Sequence, residues 1–357
     1  MPADVTLLSD LVAIPSVSGT EAAIAQFVEQ TVRRWGLDVV RDETCVRVEV
    51  GGVGPGQSLA LVSHLDTVPA GAGWTRDPFT PTIDGDRLYG RGSGDAKASV
   101  AAMLLALRDL AERGRPEAGR VQVVLGYGEE TRHTSMEQAV ERIGSVDAAV
   151  IGEPTNLDIA IAQRGLMMVD LVAQGDQGHA AYAAGNGEGV VNAALVLAKD
   201  LVRLDSLFEA RLHPLLGSVT ATPTMLEAGV SRNVTPPTAK AVLDVRSTPA
   251  WTHGEIAERL RESLRSDVVI TSQRLVPCQT PDGSRLLEAA LRVRPGAKRF
   301  GSPTCSDWVF LRHTDAIKCG PGTSRRSHTA DEYVDLPEVA AARTFYADLA
   351  REYLRSA

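Results

Sequence analysis

Five short motifs hold side chains able to do chemistry, and each follows an apolar stretch or opens a helix. In Ser63-His64-Leu65-Asp66 a histidine stands two residues before an aspartate, just after the apolar run Leu59–Ser63. That spacing lets one side chain bind a cation while the other fixes the imidazole tautomer from behind, although an isolated pair is more often a structural hydrogen bond. Gly90-Arg91-Gly92-Ser93-Gly94-Asp95 brings a carboxylate to the entrance of a long helix. Alone, Asp95 reads as a helix cap; the functional reading is a carboxylate that bridges two cations. Gly126-Tyr127-Gly128-Glu129-Glu130 follows the apolar run Val121–Leu125. Neighbouring side chains on an extended segment face apart, so one glutamate can coordinate metal while the other accepts a proton from water. Glu153 ends the run Val150-Ile151-Gly152, and by itself is a loop charge before Pro154. His328 lies in a Gly-rich loop that begins at Gly320, and by itself is a surface histidine.

Together they form a constellation. One aspartate, two glutamates and two histidines are hard-to-borderline ligands that suit Zn²⁺, with Co²⁺ or Mn²⁺ as substitutes. Cys45, Cys278, Cys305 and Cys319 contain no C-x-x-C pair. Their scatter argues against a thiolate zinc site or a disulfide framework and fits a reducing cytoplasm.

The elements that must position these groups alternate. Strand-like runs at Leu59–Ser63, Val121–Leu125 and Ala148–Ile151 are separated by helical patterns near Ala96–Glu112 and Ser135–Ile143. This predicts an α/β catalytic domain with a mixed, largely parallel sheet flanked by helices. Before it, Val5–Trp35 reads as helical with a break near Pro15–Gly19, and Thr20 is placed to cap the second helix. From Leu166 the rhythm changes to longer alternating strands at Met167–Ala173, Ser218–Glu227 and Ala239–Arg246, with helices near Gly189–Leu204 and Gly254–Leu264. That βαββαβ order predicts an inserted α+β, ferredoxin-like open-faced sandwich. The expected division is 1–165 for the first part of the catalytic domain, 166–271 for the insertion and 272–357 for the return. Helices at Ser284–Arg292 and Leu336–Arg355 close the chain.

Composition narrows the partners. A net charge of −8 with dispersed Arg and Lys makes a nucleic-acid partner improbable. No apolar run approaches the roughly 20 residues of a membrane span. The first residues lack a basic stretch followed by an apolar core, so no secretion signal is expected.

In order and spacing the motifs resemble the zinc aminoacylase and carboxypeptidase family, which includes acetylornithine deacetylase, succinyl-diaminopimelate desuccinylase and a bacterial glutamate carboxypeptidase. The resemblance covers nearly the whole chain. It implies that His64 and Glu153 hold one zinc, Glu130 and His328 the other, and that Asp95 bridges them across a cis peptide to Ala96. Asp66 would orient His64, and Glu129 would be the general base. His179, in Gln177-Gly178-His179-Ala180, resembles the family histidine that reaches the active site of a partner subunit and stabilises the oxyanion. That implies a homodimer through the inserted domain. Asn233 and Arg246 resemble a family pair, with Arg246 suited to a substrate carboxylate or else a strand-face charge. Specificity is expected from the inserted domain and the loop Ser306–Trp308. Arg325 and Arg326 could bind a second carboxylate or be solvated. His133, His213, His253 and His313 match no motif and read as surface or packing residues.

Thr304-Cys305-Ser306-Asp307-Trp308 looks most like the deacetylases of amino-acid biosynthesis. The expected substrate is therefore an N-acyl amino acid such as N-acetylornithine, N-acetylcitrulline or N-acetyl-lysine, in arginine or lysine biosynthesis. The rivals are a dipeptidase or carboxypeptidase on the same metal site, and a catalytically silent metal-binding protein. Silence predicts loss of the base or of a ligand, and neither is missing.

Overall fold

A computed structural model describes residues 1–52, 54–182 and 190–355. The chain divides into two compact units: residues 1–161, 280–300 and 306–357 form the first, and 162–279 with 301–305 the second.

In the first unit the sheet order is Val39–Arg41, Cys45–Gly51, Ala118–Gly126, Gly54–His64, Ala148–Ile151, Asp315–Lys318 and Ile159–Gln163. The four central strands are parallel, in registers such as His64 with Gly126, Val62 with Ile151, and Lys318 with Ile151. The outer pairings are antiparallel. Leu59, Ala60, Leu61 and Val62 are fully buried, because the strand lies inside the sheet and the helices Lys97–Arg113 and Leu336–Arg355 pack against it. Residues covered on both faces read as an unbroken apolar run rather than an alternation. Each leucine buried this way contributes roughly 1.5–3 kcal/mol. Among the described residues no helix is long and apolar enough to cross a membrane. None of the four cysteines is in a disulfide.

The amino-terminal helices span Ala3–Val12 and Ala22–Arg34, with the break where Pro15 stands. Thr20 does not cap the second helix; its hydroxyl donates to Val17 O. Glu21 occupies the cap position, and its carboxylate instead accepts the N–H groups of Gly19 and Gly128. The helix start is thereby joined to the turn that carries Glu129.

The second unit follows the order β-α-β-β-α-β: strand Gly165–Gln174, helix Ala193–Arg203, strands Thr220–Ala228 and Thr238–Ser247, helix His253–Ser263, and strand Asp267–Leu275. Its antiparallel sheet places Thr220–Ala228 at one edge and Asp267–Leu275 at the other. Thr271 lies inside that last strand. The first helix starts at Ala193 with Asn192 as a side-chain cap; Gly189, the expected start, lies outside the described residues. Met167, Val169 and Leu171 alternate inward with Ala241, Leu243 and Val245 to make a separate core.

Gly320 shows how closely the first unit is packed beneath its loops. A Cβ there would meet Ser99 Oγ at 2.5 Å and Glu153 O at 2.7 Å. Gly320→Ala is expected to cost about 1–3 kcal/mol by overpacking, read as a lower midpoint in urea. An unchanged midpoint would show that the backbone of Glu153 can yield at no cost.

Candidate metal centre

Parallel strands end at the same edge of a sheet, which is where α/β folds gather ligand-binding groups. His64 is the last residue of its strand, Glu129 and Glu130 follow the strand that ends at Gly126, and Glu153 follows the strand that ends at Ile151. The strand Asp315–Lys318 leads into the loop that delivers His328, which holds a left-handed backbone at φ 65°. Asp95 enters from the turn before the helix Lys97–Arg113. It does not cap that helix: Ala96 is the cap residue, and no side chain bonds there. The Asp95–Ala96 peptide is cis.

Asp95 stands between two sets of groups. His64 Nε2 lies 3.4 Å from Asp95 Oδ1 and 3.7 Å from Glu153 Oε1. On the other side, His328 Nε2 lies 2.9 Å from Glu130 Oε2 and 3.7 Å from Asp95 Oδ2. His64 Nδ1 faces away, 3.0 Å from the backbone oxygen of Asp66 and 3.4 Å from its carboxylate. That leaves Nε2 as the nitrogen directed at the cluster. The Asp66 carboxylate also accepts the backbone N–H groups of Glu129 and Glu130 and the Ser18 hydroxyl. One buried aspartate therefore orients the histidine and anchors both glutamates.

Electrostatics show a site short of positive charge. Burial raises the Glu153 carboxyl to about 8, and Asp95 beside it pushes the same way. Burial also lifts Glu129 well above the usual carboxylate range, with Glu153 adding repulsion. Burial opposes charge on His64, but Asp66 and Asp95 outweigh it and hold the imidazole well above its ordinary value. Burial likewise opposes charge on Asp66, yet its hydrogen bond with His64 brings it down to about 2. The hydrogen bond that His328 donates to Glu130 raises its imidazole.

His64 Nε2 and Asp95 Oδ1 are buried without a hydrogen-bond partner. Ligand atoms of His64, Asp95 and Glu130 lie within 4.8 Å of one another. Unpartnered buried acceptors are costly, and crowded carboxylates repel. Divalent cations relieve both conditions, so this donor set fits a metal pair.

Residues 60–352 match the model of Peptidase family M20/M25/M40. The chain belongs to this family. Its members are metal-dependent hydrolases, and this M20 chain is similar along its length to several relatives. It is 27% identical to a succinyl-diaminopimelate desuccinylase of Ruegeria sp., over 99% of this chain and 95% of the relative. It is 26% identical to a [LysW]-lysine/[LysW]-ornithine hydrolase of Sulfurisphaera tokodaii, over 97% and 94%. Aminopeptidase PepT of Bacillus cereus shares the fold with a TM-score of 0.81 at 20% identity, covering 98% of both chains. A dinuclear metal-binding M20 peptidase of Bacillus subtilis superposes with a TM-score of 0.77 at 16% identity, covering 99% and 98%.

The remaining expected site residues are distributed as follows. Ser306 is buried in the first unit, before the short helix Asp307–Leu311. Arg325 is exposed and makes no ion pair among the described residues, whereas Arg326 bonds Asp335 at 2.9 Å and stacks on Tyr333. In the second unit, exposed His179 pairs through its backbone with Val234, and Asn233 O accepts Ala180 N–H. The Arg246 fork is engaged by Asp244 of its own strand, at 2.7 and 3.0 Å.

Two groups gain partners that the sequence did not indicate. His133, read as a surface or packing residue, is buried against Asp307, a partner 174 residues away. Glu332 accepts the N–H groups of Gly92, Gly94 and Asp95, and Arg91 Nη1 at 2.6 Å. It thus joins the turn of Asp95 to the loop of His328. The carboxylate four residues after His328 was the available signal. Glu332→Ala should weaken Zn²⁺ binding about 10- to 100-fold in chelator competition. Leaving Arg91 buried and unpaired should also cost about 3–5 kcal/mol in stability. A lower melting point with unchanged zinc affinity would reduce Glu332 to a purely structural tie.

Proposed function

We propose that this M20 chain is a two-zinc amidohydrolase that removes an acyl group, foremost acetyl, from an N-acylated amino acid of the ornithine, citrulline or lysine type. The observation that carries this reading is the pairing of His64 with Glu153 and of His328 with Glu130 across Asp95, with Glu129 buried beside them. His64 and Glu153 would hold one cation, Glu130 and His328 the second, and Asp95 both. When bound, the pair polarises the amide carbonyl and lowers the pKa of water to about 7. Glu129 takes a proton from the attacking water and returns it to the departing amine. Its side chain is buried beside the ligand set, within reach of a water held there. Asp66 holds Glu129 and Glu130 in place through their N–H groups.

Support for the substrate class comes from the motif Thr304–Trp308 and from relatives named for acyl-amino-acid hydrolysis in biosynthesis. Arg325, exposed three residues before His328, is available for a substrate carboxylate. Glu129→Gln should lower kcat by about 10²- to 10⁴-fold with zinc content unchanged. A rate near wild type would remove Glu129 from the base role. Zinc-loaded enzyme assayed on N-acetylornithine, N-acetylcitrulline, N-acetyl-lysine, N-succinyl-diaminopimelate and dipeptides decides the substrate; turnover of dipeptides alone would overturn the deacylase reading.

We also infer a cytoplasmic homodimer formed by the second unit. Its edge strand Thr220–Ala228 exposes Met225 (57%) and Leu226 (62%), and the helix Ala193–Arg203 exposes Leu195 (59%) and Val202 (81%). An unpaired edge with apolar side chains is a template for pairing, and a second copy presents the same edge. In such a dimer His179 donates to the oxyanion of the partner's site. Mixing Glu129→Gln and His179→Ala proteins should restore part of the activity through hybrid dimers. Subunit exchange without recovery would count against a shared site.

A further inference from the structure

Three buried groups beside the metal ligands are left over from the ligand set: Glu129, His133 and Asp307. His133 Nδ1 lies 2.9 Å from Asp307 Oδ1 and 3.7 Å from Glu129 Oε1. All three side chains are at most 10% exposed. We infer that His133, held by Asp307, is the positioning residue that sets the orientation of the Glu129 carboxylate. This inference rests on the reading of Glu129 as the general base.

The backbone is arranged to bring the ring there. The Gly128 carbonyl accepts the N–H groups of Thr131, Arg132 and His133, which closes a tight turn directly after the glutamates. His133 ends that turn in a left-handed conformation, φ 54°, immediately before the helix Thr134–Arg142. A non-glycine residue in that region costs about 1 kcal/mol or more, and it persists where the surroundings determine it. Here the conformation sends the imidazole inward, between two carboxylates.

Asp307 opens the short helix Asp307–Leu311, which packs on the helix that His133 begins. An ionised carboxylate can only accept, so the contact at 2.9 Å requires the proton to sit on Nδ1. Glu129 Oε1 lies 3.7 Å from the same nitrogen, beyond a hydrogen bond but near enough for the N–H dipole to attract it. Glu129 has its main-chain N–H fixed by Asp66 and its side chain biased by His133. Anchoring at both ends limits the carboxylate to the rotamer that His133 favours. Precise placement of a proton-transfer group is worth orders of magnitude in rate, and a dipole held at Nδ1 supplies it without adding a ligand to either cation.

The test uses His133→Gly, which removes the ring and suits the left-handed backbone, and His133→Asn, whose Nδ2 lies where Nδ1 was. With the substrate that the wild type turns over fastest in the panel above, His133→Gly should lower kcat about 10- to 100-fold, with KM and zinc content unchanged. His133→Asn should restore kcat to within about threefold of wild type. In the Glu129→Gln background, His133→Gly should have no further effect, because its influence passes through Glu129. Nitrogen NMR of the imidazole should show the proton on Nδ1, with that signal lost in His133→Asn.

Wild-type kcat in His133→Gly, equal losses in both variants, or a full additional loss in the Glu129→Gln background would each overturn the inference. So would a proton found on Nε2 alone. Should His133→Gly fail to fold, the comparison of His133→Asn with His133→Leu carries the same contrast. If Glu129→Gln itself keeps its rate, the base reading has failed; if Glu129→Gln is inactive and His133→Gly is not impaired, only the positioning role has failed.

Discussion

Backbone N–H groups held by buried carboxylates are the interaction on which the candidate metal centre depends. Glu332 takes three such groups from the turn Gly92–Asp95, and Asp66 takes two from Glu129 and Glu130. Neither carboxylate is among the expected metal ligands. Burial and the nearby Asp95 push Glu332 upward, while Gly92 N–H and the Arg91 guanidinium pull it back. A buried charge that is hydrogen-bonded on every side can be retained where an unpaired one cannot. The backbone it holds is fixed as a result, so the side chains projecting from that backbone arrive in defined places. Asp95, Glu129 and Glu130 are such side chains.

The parallel strands provide the other half of the arrangement. Their registers align His64 with Gly126 and Val62 with Ile151, so three separate segments of sequence end at one edge. Burial then crowds the carboxylates of Asp95, Glu129, Glu130 and Glu153 around two imidazoles. Their mutual repulsion, opposed by the two histidines and by Lys318 near Glu153, marks a place suited to cations. His133 stands beside this cluster, bound to Asp307 at 2.9 Å and 3.7 Å from Glu129.

Much of this was legible in the chain. The run Leu59–Ser63 announced a strand buried on both faces, and the change of rhythm at Leu166 announced a different fold with an antiparallel sheet. The helices Lys97–Arg113 and Leu336–Arg355 start and stop close to where periodicity placed them. Cap readings failed where another group claimed the side chain. Thr20 looked like a cap, but Glu21 occupies that position and reaches to Gly128. Asp95 looked like a cap when read alone, but its carboxylate turns toward His64 and His328. Arg246 was open to two readings, a carboxylate fork or a strand-face charge, and its guanidinium bonds Asp244 two residues away.

By itself the sequence determined the fold class, the metal-binding residue types and the family, because strand and helix periods, glycine turns and ligand identities are local properties of the chain. Only the tertiary structure decided which groups face one another. The Asp307 partner of His133 and the backbone partners of Glu332 lie far away in sequence, and no local period reports on them. Their contacts exist because parallel strands and returning loops bring remote carboxylates to buried N–H groups that must be satisfied. That requirement is a property of the folded interior, and it appears only once the interior has formed.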